Sequence, residues 1–239
     1  MAITAKDVFQ RVQILLQDQE NVRWTLDELR LWLNDGQREI VLWKPNAKSS
    51  TVVLPLVAGT YQTLSTTYLS MLRAVRNITS EGPPRVGGRA VRTVPREILD
   101  ATIPDWHSAS QKAVVTNVVY DQAEPRAFYV FPPNNGTGKL EVIASQAPTD
   151  IAAPADPTNL ASYTATIGLD DIYANALADY VMYRAYMKDA GYAGNAQRAV
   201  ACYTQFSNAL GIKLRNEIAI SPNSPNPPVG AEAAPVAGG

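Results

Sequence analysis

The chain has 239 residues, a formal net charge of −1 at pH 7, and hydrophobic side chains at 46% of its positions. These values allow a sizeable core in one large domain or two small ones, and they argue against a general polyanion-binding protein, which carries a basic excess. A single cysteine, Cys202, and a single histidine, His107, exclude an internal disulfide and a histidine-rich metal site.

Two amphipathic helices are predicted at the start of the chain. Thr4 followed by Asp7 resembles a capping box and begins a helix over residues 4–17, with apolar residues at helical spacing. Thr25 and Glu28 fit the capping box fully and begin the second helix. Each helix carries one apolar stripe, so each is expected to lie against a partner.

The second predicted helix contains an internal glycine, Gly36, and ends at Pro45. The residue before a proline avoids helical backbone angles, which places the end of the helix there. A glycine in a helix costs roughly 1 kcal/mol relative to alanine. Gly36 therefore marks either a close contact or a bend.

The middle of the chain, residues 49–165, is predicted to be an antiparallel β domain. Short β-branched runs are separated by prolines and glycines, which is typical of strands and turns. No helices of about ten residues lie between the runs, as parallel crossovers require. Residues 68–79 are ambiguous and favour a short turn or helix that leads into a strand, and residues 94–108 predict one helical turn.

The segment 118–148 is predicted to be a β-hairpin with "NNGTGK" at its turn. In its first strand, Phe128 to Phe131 place aromatic residues on both faces. A strand with one face exposed to solvent would not carry aromatic residues on that face. Two consecutive prolines, Pro132 and Pro133, are expected to end that strand. We expect one face to pack in the β domain and the other to contact a neighbouring subunit or a tail component. The predicted contact residues are Tyr129, Phe131, Asn134, Asn135 and Lys139.

The helical period returns near the C-terminus. Asp170 is the predicted N-cap of a third long helix, and a fourth follows after Gly194. Neither outer helical pair can bury its stripe alone, so residues 1–48 and 166–215 are expected to form a four-helix bundle. The predicted fold class is therefore α+β, with a four-helix bundle built from both chain ends and the β domain inserted between its halves. The Pro/Gly/Ala-rich residues 216–239 are expected to form an extended tail.

Catalytic motifs are missing from the sequence. It contains no P-loop, dinucleotide fingerprint, zinc motif or nucleophile elbow, which predicts a protein that is not an enzyme and has no cofactor. The alternative is a tail-associated glycan-binding or hydrolytic module, which needs carboxylates at a fixed separation near aromatic rings. The candidates for that alternative are Asp105 beside Trp106 and Asp121 near Tyr120.

Two further groups of residues favour binding to partners. Arg85, Arg89, Arg92 and Arg96 lie on a glycine-rich loop, where they are expected either to contact a partner's carboxylates or DNA phosphates, or to be solvated. Tyrosines gather in the last two helices, where they indicate either an interface or core packing. Because their spacings point in different directions around one helix, an oligomer is expected. These tyrosines are Tyr173, Tyr180, Tyr183, Tyr186, Tyr192 and Tyr203.

Four blocks of the sequence, in this order and spacing, resemble a known family. They are "DVFQRVQILLQDQENVRWTLDELRLWLNDGQREIVLWKP", "ILDATIPDWHSAS", "YDQAEPRAFYVFPPNNGTGKLEVIASQAPTDI" and "LDDIYANALADYVMYRAYMKDA". Over residues 3–215 the chain resembles the head-to-tail adaptor (connector) proteins of tailed bacteriophages, including the tail tubular protein A type of the short-tailed phages.

The resemblance implies a ring of twelve copies between the portal protein and a tail or nozzle protein. Double-stranded DNA would pass through the ring without sequence specificity, and the location would be the neck of the virion after assembly in the host cytoplasm. No signal peptide or membrane span is apparent in the sequence. In such adaptors a C-terminal segment can reach the portal, and the residues matched to it by position are Ile218, Ile220, Pro222, Pro225, Pro227 and Pro228.

Overall fold

The computed structural model describes residues 2–192 and 194–220, with the backbone alone described for 212–220. These residues form five α-helices and eight β-strands in an α+β protein. The helices are α1 (Ala5–Leu16), α2 (Leu26–Trp43), α3 (Arg96–Thr102), α4 (Ala174–Lys188) and α5 (Asn195–Ile220). The strands are β1 (Ser49–Pro55), β2 (Ala58–Thr63), β3 (Tyr68–Ser80), β4 (Val86–Ala90), β5 (Arg92–Thr93), β6 (Asn117–Tyr120), β7 (Ala127–Asn135) and β8 (Lys139–Gln146).

Both predicted capping boxes are confirmed. The Thr4 hydroxyl accepts a hydrogen bond from the Asp7 amide at 3.3 Å, and the Asp7 carboxylate accepts one from the Thr4 amide at 2.8 Å. Thr25 and Glu28 form the same reciprocal pair at the start of α2. Asp170, in contrast, makes no side-chain cap, because a 3₁₀ turn at Asp171–Tyr173 separates it from α4.

Helix α4 is the centre of the helical region, where it packs against α1, α2 and α5. Trp24 donates its indole N–H to the Ala185 carbonyl at 3.0 Å, and Gly36 lies against Tyr180, so α2 runs antiparallel to α4. Helix α5 is also antiparallel to α4, with the Tyr183 and Tyr203 rings 5.0 Å apart. Residues from both ends of the chain therefore share one core.

The predicted four-helix bundle is wrong. The three helices around α4 contact one another far less than they contact α4, so no common axis is enclosed by four equivalent helices. Part of the helical core is supplied instead by the segment 147–170, which buries Ile151, Tyr163 and Ile167 against α1, α2 and α4. The rest of the fold consists of two sheets, whose shared core and the small core around Trp106 are separate from the helical core.

Buried amides of α2 hold that connecting segment in place. The Asn34 side chain donates to the Ile151 carbonyl and accepts from the Ile151 amide, at 3.1 and 2.8 Å. Gln37 accepts a hydrogen bond from the Gly168 amide. A side chain at Gly168 would meet the Thr149 backbone at 2.7 Å, so glycine is required for this close approach. Polar side chains on the buried face of α2 thus join the helical region to the sheets.

The β part contains two four-stranded sheets. The first sheet has the order β1-β8-β3-β4 and the second sheet has the order β2-β7-β6-β5, with β5 and β6 parallel. Their inner faces share one core, which includes Phe128 and Val130 from the second sheet and Leu140 and Val142 from the first. The predicted turn or short helix within residues 68–79 is wrong, since β3 spans this segment as one long strand.

The predicted hairpin at 118–148 is also wrong, because β7 and β8 belong to different sheets. The turn "NNGTGK" is a corner between the sheets. Pro132 and Pro133 do not end β7, which continues to Asn135. They lie where the pairing of β7 with β2 shifts register. A proline has no backbone N–H group, and at such an irregularity none is needed for a hydrogen bond to the neighbouring strand.

Candidate interaction surfaces

Exposed apolar side chains occur at both ends of α4. At its start are Leu42, which is 75% exposed, Trp43 and Ile172. The ammonium group of Lys44, at the end of α2, lies 5.4 Å from the ring of Tyr173, so the end of α2 and the start of α4 lie at the same end of the helical region. We call these three residues the start patch.

The opposite end of α4 carries a second exposed apolar set, comprising Val22, which is 83% exposed, Met187 and Tyr192. Arg23 forms a salt bridge with Asp189, and its guanidinium lies 4.7 Å from the centre of the Tyr192 ring. The loop before α2 is thereby fixed to the end of α4. We call Val22, Met187 and Tyr192 the end patch.

The tyrosines of the last two helices are mainly core residues. Tyr173 and Tyr180 are buried, and burial raises the pKa of Tyr180 to about 12. Tyr183, Tyr186 and Tyr203 are partly buried against the same core. Tyr192 is 62% exposed, so it is the tyrosine of this group with most of its ring open to a partner.

The residues of the predicted β contact have different environments. The Tyr129 ring packs edge-to-face against Trp106 at 6.0 Å, and Phe131 belongs to the same small core with Leu99. The segment that contains α3 therefore covers the second face of β7, which the sequence had suggested would contact a neighbour. Lys139 pairs with Glu81 at 2.8 Å.

Asn134 and Asn135 stabilise the corner between β7 and β8. Asn134 is fully buried, donates to the carbonyls of Lys112 and Ala113, and accepts from the amides of Gly136 and Gly138. Asn135 is exposed and accepts from Thr137. All of these hydrogen bonds join the Asn134 side chain to backbone groups of the same subunit, so Asn134 stabilises the corner and is not open to a partner.

The four predicted arginines are divided between the two sheets. Arg85 and Arg89 lie at β4 of the first sheet, whereas Arg92 and Arg96 lie at β5 and the start of α3. Arg96 pairs with Asp100 at 3.4 Å and covers the Tyr129 ring at 5.6 Å. The four arginines, which were predicted to share one loop, therefore belong to two different parts of the fold.

A buried carboxylate on the first sheet binds two arginines. Glu141, only 5% exposed, accepts from Arg76 at 2.6 Å and from Arg85 at 2.8 Å. The hydrogen bond from Arg76, together with the one from Arg85, lowers the pKa of the Glu141 carboxyl although burial opposes this shift. No sequence pattern indicated Arg76 or its neighbour Arg73, because both lie within residues 68–79, which were predicted to begin as a turn or short helix.

The carboxylate candidates of the glycan alternative do not form an open site. Trp106 is fully buried, and its indole N–H donates to Asp100 at 2.8 Å, so its face is closed to a sugar. Asp121 accepts from the Ala123 amide at 2.9 Å within its own turn. His107 stacks on Trp106, and its Nδ1 atom lies 2.9 Å from the Thr60 hydroxyl.

Two of the open grooves of the surface border residues named above. A groove of about 690 Å³ lies between the start of α3 and the β6–β7 turn, where Arg96 already covers the Tyr129 ring. A second groove of about 540 Å³ lies between α2 and the first sheet, with Leu42, Leu69 and Pro148 in its lining. The second groove is continuous with the start patch through Leu42.

Further properties follow from the part of the chain that the structure describes. None of its helices is both long and apolar enough to cross a membrane, and none of its acidic, histidine and cysteine side chains cluster in a group that could hold a metal ion. Ile218 and Ile220 belong to α5. Residues 216–220, which were predicted to begin the extended tail, are the last five residues of this helix. Pro222, Pro225, Pro227 and Pro228 lie outside the described residues.

The chain was compared with known proteins. Curated proteins gave no match. The sequence model of the SU10 adaptor protein family matches residues 3–226, which is nearly the whole chain and includes both helical ends and both sheets. The protein therefore belongs to the SU10 adaptor protein family, which confirms its identification as a bacteriophage adaptor with a structural role.

Proposed function

We propose that copies of this protein form a closed ring that joins the phage portal to the tail and surrounds the channel through which DNA passes. Membership of an adaptor family supports a role that depends on geometry rather than on catalysis. The observation that carries the ring is the pair of apolar surfaces at opposite ends of α4. The 15 residues of α4 separate them by about 22 Å, at 1.5 Å per residue.

Two different surfaces on one subunit favour a head-to-tail contact between copies. In such a contact the start patch of one copy meets the end patch of the next, and rotation closes the series into a ring. A single self-complementary patch would give a symmetric dimer and leave the other patch exposed. Exposed apolar patches rimmed by polar residues are typical of interaction sites.

Substitutions on each patch test this proposal. Leu42→Asp places a charge in the start patch and Val22→Asp places one in the end patch; both side chains are exposed, so folding is retained. Ile98→Asp, an exposed apolar residue on α3, is the matched control. Particle masses are measured for each variant mixed with the portal protein of the same phage.

The head-to-tail contact makes a specific prediction for mixtures of the two variants. Each patch variant alone fails to form rings, and an equimolar mixture forms pairs but no rings, because only one intact contact can form between two different variants. The control forms rings as the unsubstituted chain does. Rings formed by either patch variant alone, or lost in the control, would contradict the arrangement.

The portal contact is assigned to the C-terminal end. Helix α5 has 26 residues, against 15 in α4, and the two run antiparallel. The Tyr180–Phe206 and Tyr183–Tyr203 contacts place the start of α4 beside about residue 212, so the last eight residues of α5 extend about 12 Å past the start of α4. Residues 221–239, which contain the predicted portal-binding prolines, follow from that projecting end. Their removal is expected to abolish portal binding without changing the melting temperature; binding by the truncated chain would refute this assignment.

A further inference from the structure

Arginines accumulate on the outer face of the first sheet. Met71, Ala74 and Val142 lie in the core between the sheets, so the intervening positions of β3 and β8 face outward. Arg73, which pairs across the sheet with Ile143, and Arg76, which pairs with Glu141, are therefore on the outer face.

The neighbouring edge strand adds two more arginines. Arg85 reaches Glu141 from the start of β4, and Arg89 lies exposed on β4 itself. A side chain at Gly87 would meet the Arg76 guanidinium at 2.4 Å, which shows that this guanidinium lies directly over Gly87 of β4. We call Arg73, Arg76, Arg85 and Arg89 the basic face.

The basic face has a net positive charge even though the whole chain does not. Its four arginines are opposed by one carboxylate, that of Glu141, and the nearby Glu81 is neutralised by Lys139. Arg76 and Arg85 share Glu141 yet remain 41% and 43% exposed. Neither the Arg73 nor the Arg89 guanidinium has a partner among the residues that the structure describes.

The residues beside these arginines favour a phosphate ligand over a protein. On the outer face, the cross-strand neighbours of Arg73 are Ile143 and then Thr51, and those of Arg76 are Glu141 and then Val53. None of these neighbours is aromatic, whereas protein interfaces are enriched in aromatic side chains. Guanidinium groups bind phosphates in a bidentate manner.

We propose that the basic face contacts the phosphate backbone of double-stranded DNA. This inference rests on the proposed function, because it assigns a surface to the DNA that passes through the ring. Contacts to phosphate are independent of base sequence, and a few per subunit remain weak at physiological salt. The near-neutral chain limits the attraction elsewhere, so the DNA is guided but not retained.

Nuclear magnetic resonance of the full-length, isotopically labelled chain tests the contact residue by residue. The protein is titrated with duplexes of two unrelated sequences, each about 16 base pairs, in about 50 mM salt. We expect both duplexes to shift the arginine side-chain resonances of the basic face and the amides of β3 and β4. Shifts confined to other parts of the chain, or no shifts, would overturn the proposal.

A charge-matched pair of variants measures the energy of the contact. Arg73→Ala/Arg89→Ala removes the two unpartnered arginines, and Arg126→Ala/Arg198→Ala removes two exposed arginines elsewhere. The first variant is expected to weaken DNA binding about tenfold and to reduce the slope of log K against log salt by about 1.8, which corresponds to two phosphate contacts. The control keeps both values, and an equal loss in the control would contradict a localised contact.

An acidic protein partner is the competing occupant, and polyglutamate distinguishes it from DNA. If polyglutamate shifts the resonances of the basic face at the same concentration of negative charge as the duplex, the DNA assignment is wrong.

Ring formation on the portal is measured with the same arginine variants. Rings without DNA contact would refute this inference alone, whereas failure of the unsubstituted chain to form rings would refute the proposed function.

Discussion

Tyr180 of α4 lies directly against Gly36 of α2, so that a Cβ atom added to Gly36 would be 2.9 Å from Cδ1 of the tyrosine. These residues are far apart in the sequence, and their contact joins the two helical ends of the chain. Leu177 lies 3.3 Å from the same point, so two side chains of α4 close this position. Gly36 is therefore a packing glycine between helices from opposite ends of the chain.

The first prediction compares two glycine-to-alanine substitutions in helices. Gly36→Ala forces Tyr180 and Leu177 aside, whereas Gly211→Ala in α5 meets no heavy atom within 4 Å. Both gain about 1 kcal/mol of helix propensity, but only Gly36→Ala has the overpacking cost of about 1–3 kcal/mol. Denaturant unfolding should show Gly36→Ala to be less stable than Gly211→Ala by that amount; equal stabilities would contradict the close contact.

The second prediction concerns the pH dependence that Glu141 confers. Its pKa is lowered in the folded protein by Arg76 and Arg85, so its stabilising contribution is complete above about pH 5 and is lost as the pH falls through the lowered pKa. Glu141→Gln should cost about 1–2 kcal/mol at neutral pH, because both arginines are partly exposed and screened.

Unfolding of the Glu141→Gln variant across acidic pH checks this account. The difference in free energy of unfolding from the unsubstituted chain should shrink as the pH is lowered below about 5. Glu81→Gln, which alters an exposed pair with Lys139, is the control and should change stability by less than about 0.5 kcal/mol. A difference that stays constant down to acidic pH would contradict the role of the Glu141 charge.

The third prediction separates two adjacent asparagines at the sheet corner. Asn134→Ala leaves the buried carbonyls of Lys112 and Ala113 and two glycine amides without this partner, and should cost about 2–3 kcal/mol. Asn135→Ala changes an exposed turn and should cost less than about 1 kcal/mol. Similar losses for both variants in thermal unfolding would show that the corner does not depend on Asn134.

The fourth prediction uses the raised pKa of Tyr180, which burial places at about 12. A tyrosine whose folded pKa exceeds its unfolded value of about 10 contributes stability below pH 10, and this contribution is lost as the pH rises towards the folded value. Tyr180→Phe should therefore lose less stability between about pH 10 and 12 than the unsubstituted chain. Parallel losses would show that Tyr180 ionises as if exposed.

Local sequence rules predicted the helices well because their signals are local. The capping boxes at Thr4 and Thr25 involve residues three positions apart, and both formed as predicted. For Gly36 the sequence left two alternatives, a close contact or a bend in the helix. The position of Tyr180, which depends on tertiary structure, shows that it is a close contact.

Arrangements that depend on distant residues were not predicted. The assignment of β7 and β8 to different sheets depends on Asn134 and on the backbone at Ala113, which no short-range pattern indicates. The bundle prediction did not include residues 147–165, because the position of Ile151 in the helical core depends on its hydrogen bonds to the distant side chain of Asn34. The basic face was missed because Arg76 and Arg85 meet at Glu141 only through the pairing of β3 with β8 and β4.

Direct imaging of the purified protein mixed with the portal protein of the same phage tests the central claim. The account predicts closed rings of twelve copies seated on the portal, with an open central channel and with both ends of α4 at the contacts between subunits. Intact portals that remain bare, beside single unassembled copies of this protein, would contradict it.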